Sequence, residues 1–149
     1  CKKTEFDPAY TAYHAFYDPK WPDRGPFHED LTASERRNII LSVIFPRFLL
    51  SIATHYTLFM CLRPAGVGKV AIRWGVVGFG TDSESQRVKD YVDLCRAFNA
   101  EDREKLEILH RALHTRYYKL GPLAPTDFEG PIWDFIQYFA HRFEDRSNG

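Results

Sequence analysis

The chain has 149 residues, 44% of them hydrophobic and 15% aromatic, and its twenty basic and twenty acidic side chains cancel. That length supports one domain with a buried core, and the twelve Phe and eight Tyr exclude a disordered tail. Zero net charge, with no stripe of Lys and Arg among aromatics, excludes binding to nucleic acid or an anionic membrane surface by bulk electrostatics.

Residues 1–38 are dense in aromatics, Pro, Asp and His, as in Phe6-Asp7-Pro8, Tyr17-Asp18-Pro19 and Trp21-Pro22-Asp23. Proline at this density breaks regular elements, so the segment reads as largely irregular. Thr32 with Glu35 three residues later fits a capping box for a short helical turn. From residue 39 the composition shifts to β-branched and aromatic runs: Ile39–Phe45, Phe48–Ile52, Tyr56–Leu62 and Val67–Phe79. Short breaks between them predict an antiparallel meander, with Pro64–Gly68 as a hairpin turn. Arg73 between Ile72 and Trp74 indicates that one sheet face is not fully buried.

Helical spacing follows over residues 82–120. Asp82 or Ser83 is the expected cap, Val88, Tyr91, Val92, Cys95 and Phe98 form an apolar stripe, and Leu106, Leu109, Leu113 and Tyr117 continue it. Gly121-Pro122 ends the helix. A last amphipathic helix is predicted over 130–143, with Pro131 in its first turn and Ile132, Phe135, Ile136, Phe139 and Phe143 on its apolar face. The organisation is therefore an irregular segment at 1–38, a folded unit at 39–143 and a frayed tail at 144–149. Strands followed by helices predict an α+β fold.

Three cysteines, Cys1, Cys61 and Cys95, are odd in number and scattered, which fits reduced thiols in a cytoplasmic protein. No apolar run reaches the roughly 18 residues of a membrane span, and no signal-peptide pattern is present. Because the sequence opens on Cys1 rather than Met, it reads as part of a longer gene product.

Asp102 is the unusual acid. The steps from Phe98 to Asp102 to Leu106 are four and four, which places a carboxylate on the apolar stripe unless the helix breaks at Asn99. A carboxylate facing a core is paired, protonated or metal-bound. If instead Asn99 caps a new helix, Asp102 is a first-turn acid favoured by the helix dipole. His110 and His114 share a helix face at zinc-chelating spacing, but the general-base Glu of the HExxH pattern is missing, so a pair of solvated histidines accounts for them as well. His14 and His28 lie among acids without a known ligand spacing. Neither a dinucleotide-binding glycine fingerprint nor a GxSxG element is present.

The order of features over residues 39–143 resembles the C-terminal part of the catalytic domain of Rieske non-haem iron oxygenase α subunits. Val43 to Leu50, around Phe45-Pro46-Arg47, resembles a strand pair of that family, and Leu62-Arg63-Pro64-Ala65-Gly66 resembles its Leu-x-Pro-x-Gly hairpin. Asn99 to Leu113, with Glu101-Asp102 at its start, is similar to the family's carboxylate helix. Tyr117 to Leu123, Glu129 and Ile132–Phe143 are similar to its ending.

The resemblance implies a helix-grip (START-like) fold, an antiparallel sheet packed on a long helix. It also implies mononuclear Fe(II) held by two His and one carboxylate, with Asp102 in the carboxylate position. Val92, Cys95 and Phe98, on the same stripe, are the implied substrate-pocket wall. The implied activity is hydroxylation or demethylation of a small aromatic substrate with O2. Electrons would come from a ferredoxin or reductase through an upstream [2Fe-2S] domain, in a homotrimer of the full subunit.

The chain departs from the family in three places. The residue five after His14 is Pro19, so the family's histidine pair is absent, as are the cluster-binding motifs, and His110 and Ala112 replace the family's Gln and Gly. Such a chain alone is expected to be inactive. A reading from a different class is a non-catalytic helix-grip module that binds an apolar ligand.

Overall fold

The computed structural model describes residues 2–18, 20, 27–79 and 84–147. Six strands form one antiparallel sheet in chain order: β1 (Lys2–Asp7), β2 (Tyr10–Phe16), β3 (Asn38–Ile44), β4 (Phe48–Ile52), β5 (Tyr56–Pro64) and β6 (Val70–Gly78). Two helices follow, α1 (Gln86–Leu113) and α2 (Thr126–Ser147). The expected α+β architecture is present, an antiparallel sheet holding its helices against one face.

The irregular reading of 1–38 is corrected by β1 and β2. Phe6-Asp7-Pro8 punctuates a hairpin instead of ending order: Asp7 Oδ1 accepts a hydrogen bond from the Ala9 backbone N–H at 2.8 Å, and Pro8 lies in the turn. β2 pairs along its whole length with β3, from Tyr10 opposite Ile44 to Phe16 opposite Asn38. Pro19 and the stretch 21–26 lie outside the described residues. The Thr32–Glu35 box forms as expected: Glu35 N–H donates to Thr32 Oγ1 at 3.3 Å, and Thr32 N–H donates back to Glu35 Oε2 at 2.8 Å. Hydrogen bonds from Thr32 hold the Glu35 carboxyl below its ordinary range, since they stabilise the charged form.

The hairpin at 64–68 is also as expected. Ala65 N–H donates to Lys69 O, and Lys69 N–H donates to Gly66 O. Gly68 has φ of +67°, a conformation costly for side chains with a Cβ. A Cβ there would sit 2.8 Å from His110 Nε2, so the turn is pressed against α1 and has no room for one.

Register sorts the sheet into two faces, because side chains alternate along each strand. One row runs Thr11, Val43, Leu49, Met60 and Trp74 across β2 to β6. Thr11 and Leu58, both buried, belong to this face, and the buried Phe45 just beyond β3 continues its alternation. Both helices touch it. α2 lies against β1 and β2, where Thr11 Oγ1 donates to Asp134 Oδ2 at 2.8 Å, and the Tyr13 hydroxyl donates to the Phe128 carbonyl. Phe45 packs on Phe135 and Tyr138 of α2, at centroid distances of 6.0 and 5.3 Å. The opposite face carries Ile40, Leu50 and Phe59. There Phe59 lies over Gly75, 2.7 Å from where a Cβ would be, so only glycine admits the ring.

Both helix boundaries differ from the sequence reading. Ser85 caps α1, accepting from Val88 N–H at 3.4 Å. Asp82 and Ser83 lie outside the described residues. α1 ends at Leu113, before the expected 120, and His114 closes it. α2 begins at Thr126, so Pro131 sits inside it, and it runs to Ser147 through most of the expected tail. Pro131 lacks an N–H for the carbonyl of Asp127, yet the helix continues because its apolar face is anchored on the sheet.

Candidate functional site

α1 is unbroken over its 28 residues. Asn99 therefore caps nothing, and Asp102 is not a first-turn acid; the capping explanation is removed. Asp102 occupies the mid-helix position that the four-residue steps require, on the stripe that begins with Tyr91 and Cys95. The Tyr91–Cys95 end of that stripe faces the sheet. The rings of Tyr91 and of Tyr56 on β5 stack at a centroid distance of 3.5 Å and an interplanar angle of 26°. One turn on, Cys95 is 0% exposed and hydrogen-bonds to the Tyr91 hydroxyl. Burial pushes both the Cys95 thiol and the Tyr91 hydroxyl above their ordinary values.

The packed end of the stripe gives way to an open one. Val92 and Phe98 are half-buried, whereas Asp102 is exposed and Leu106 and Leu109 are each 59% exposed. No solvent reaches Cys95.

The charges around Asp102 are used differently. Glu101 pairs with Lys105, and Arg103 pairs with Glu107. Both are i, i+4 ion pairs on an exposed helix surface, where solvent screening keeps their contribution small. Among the described residues Asp102 has no such partner. Asp102 is thus an exposed carboxylate without an ion pair among the described residues, at the middle of a continuous helix.

All six histidines are described, and none completes a site with Asp102. His110 is eight residues further along α1, about 12 Å of helix rise. Among the described residues no group of three or more His, Cys, Asp and Glu side chains could hold a metal. The residues therefore do not fit Fe(II) as a complete ligand set: they offer one carboxylate arm, and no reaction step is routed through a metal here. The His110 and His114 rings meet edge to face at 5.0 Å and 88°, with His110 pressed on the Gly68 turn. Packing accounts for this pair without zinc. His14 Nδ1 is 2.8 Å from Asn38 Nδ2, on the sheet face opposite the helices, and His28 pairs with Asp30.

Sequence reasoning missed the partner of the Tyr91–Cys95 cluster, Tyr56. Its only signal was an aromatic opening a strand, and nothing local says which helix residue it meets.

The buried thiol yields a direct expectation. Cys95 should resist a water-soluble disulfide reagent in the folded chain, while the part-exposed Cys61 reacts. The unfolded chain sheds the Cys95 proton near the ordinary value of 9.0, and the folded chain keeps it. Its contribution to stability is thus complete below that pH and lost as pH rises past it. Urea midpoints measured from pH 7 to 10.5 should fall at the alkaline end, and Cys95→Ala should flatten that slope.

No helix among the described residues is long and apolar enough to cross a membrane. No curated protein matches the chain. A family model described as ring hydroxylating alpha subunit (catalytic domain) matches residues 9–145, from the β1–β2 turn to the last turns of α2. The strand–hairpin–helix order over the whole of that span, with Asp102 on its long helix, accords with the match: the chain belongs to the catalytic-domain family of ring-hydroxylating oxygenase α subunits, oxidoreductases that use non-haem iron and O2.

Proposed function

We propose that Asp102 is the carboxylate ligand of a mononuclear Fe(II) centre, and that this chain forms one side of an oxygenation site for a small aromatic substrate. The observation that carries the reading is the Asp102 carboxylate, without an ion pair among the described residues, at the apolar-stripe position of an unbroken α1. Iron held by two histidines and one carboxylate leaves positions beside it for O2. In this reading both histidines come from outside this sequence, since none of the six present reaches Asp102. Phe98 and Val92 wall the site, and Cys95 supports them from behind. A [2Fe-2S] domain fed by a ferredoxin or reductase supplies electrons, the full subunit is a cytoplasmic homotrimer, and the product is a hydroxylated or demethylated ring compound.

Metal analysis of the complete gene product tests this. Iron should survive desalting in the parent protein and in His114→Ala. It should be lost in Asp102→Ala, with turnover down at least about 100-fold, since even supporting residues of metal sites cost 10–100-fold. Iron retained by Asp102→Ala would remove the assignment. A parent protein that holds no iron but binds an apolar ligand would make the chain a binding module.

A further inference from the structure

The sheet is open, and its two edges are built differently. β1 forms one edge: four of its six residues are charged, and its register with β2 shifts between Lys3 and Glu5. Charge and a bulged register are devices by which edge strands avoid pairing with other chains. β6 forms the other edge. It is nine residues long, has no proline and carries a single charge, Arg73. Its pairing with β5 runs from Val70 to Gly78 without a shift in register. Among the described residues no strand pairs with its outer side. Alternate residues of β6 therefore turn their N–H and C=O groups outward, and the apolar Val70, Ile72 and Val77 beside them are each more than half exposed.

A second copy of β6 fits this edge. Trp74 is the central residue of Val70–Gly78. Antiparallel pairing of two β6 strands over their full length therefore sets Trp74 opposite its counterpart, with Ile72 opposite Val76 and Val70 opposite Gly78 on the helix-bearing face. On the other face Arg73 falls opposite Gly75, and Ala71 opposite Val77. Aromatic and β-branched cross-strand pairs are favourable, and the one charged side chain meets a glycine. A register centred on Arg73 would instead oppose like charges directly, which is destabilising. The helices leave room for the seam. The ring contact of α1 is with Tyr56 on β5, one strand in from the edge. The two β5 strands would lie about 14 Å apart, more than the roughly 8–10 Å that two packed helices need.

We propose that two copies of this chain join edge to edge through antiparallel β6 strands, about a two-fold axis at Trp74, into one continuous sheet. The contact is isologous, so it joins two copies and is a different contact from the heterologous one that closes a trimer. A nine-residue seam is about 30 Å long and sits at the lower end of stable interfaces, so association depends on concentration.

Sedimentation velocity of the 149-residue chain, from about 2 to about 200 µM, tests this. The mass should rise from one copy to two. Ala71→Glu combined with Val77→Glu sets Glu opposite Glu at both ends of the seam and should weaken association about tenfold. Ala71→Lys combined with Val77→Lys should do the same, and an equimolar mixture of the two variants should restore the two-copy species. Amide exchange of the parent chain gives a readout that needs no substitution: β6 amides should slow as concentration rises, while β1 amides should not. A parent chain that stays single over this range overturns the proposal. So does a Glu variant that associates as the parent does, or a mixture that stays single. Exchange of β6 that is independent of concentration overturns it even if a substitution unfolds the strand.

Discussion

Replacing Asp134 with Ala should loosen α2 on the sheet and destabilise the protein by about 3 kcal/mol, the upper scale for losing a buried hydrogen bond to a charged group. Asp134 is 4% exposed and Thr11, which donates to it, is 1% exposed. A hydrogen bond to a carboxylate in such a place is shorter and stronger than a neutral one, and water does not reach the site to replace it when either partner is removed. Asp134→Asn, which keeps the shape and an acceptor oxygen, should recover much of the loss. Urea denaturation measures the energy. Amide exchange locates it: protection should fall over α2 and the β1–β2 hairpin first, because Tyr13 and Phe45 use the same helix. Unchanged exchange over α2 in Asp134→Ala would show that the aromatic contacts alone hold the helix.

The second large effect is expected at Tyr91. Tyr91→Ala removes the stack on Tyr56 and the hydroxyl beside Cys95 together. Truncating a buried aromatic costs about 3–5 kcal/mol. Tyr91 is half-buried, so the lower end of that range applies. Without the stack α1 loses its ring contact with β5, while the approach of His110 to the hairpin remains. Tyr91→Phe separates the two contributions: it keeps the ring, should hold α1 in place, and should make Cys95 only modestly more reactive. If Cys95 stays as unreactive in Tyr91→Ala as in the parent chain, α1 is held by something other than the stack.

Much of this was legible in the sequence because it is local. The β-branched runs from residue 39 gave β3 to β6 within a few residues, the Pro64–Gly68 turn formed where proline and glycine required it, and the stripe from Tyr91 through Phe98 to Leu109 is one face of one helix. Asp102 stood out for the same reason, as an acid at an apolar position. What escaped was non-local. β1 and β2 lie among Pro and Asp residues that mark breaks, which hid the strand-forming Tyr, Thr and Phe of β2 until its pairing with β3 is seen. Pro131 resembles a helix start, and only the anchoring of α2 on Phe45 lets the helix begin five residues earlier. The Asp134–Thr11 bond spans 123 residues, and no spacing rule reaches that far. The row of Leu49, Met60 and Trp74 escaped too, since these are unremarkable strand residues until register aligns them.

That 123-residue span bears on how the chain assembles. Every strand of the sheet pairs with its neighbour in sequence, so apart from the longer connection between Phe16 and Asn38 the meander can form by closing short loops, the pattern associated with fast folding. The contact between α2 and the first hairpin is the exception. It ties the last element to the first and carries the largest loop-closure entropy in the molecule. Docking of α2 should therefore be the late step of folding, and substitutions at Asp134 should speed unfolding much more than they slow folding.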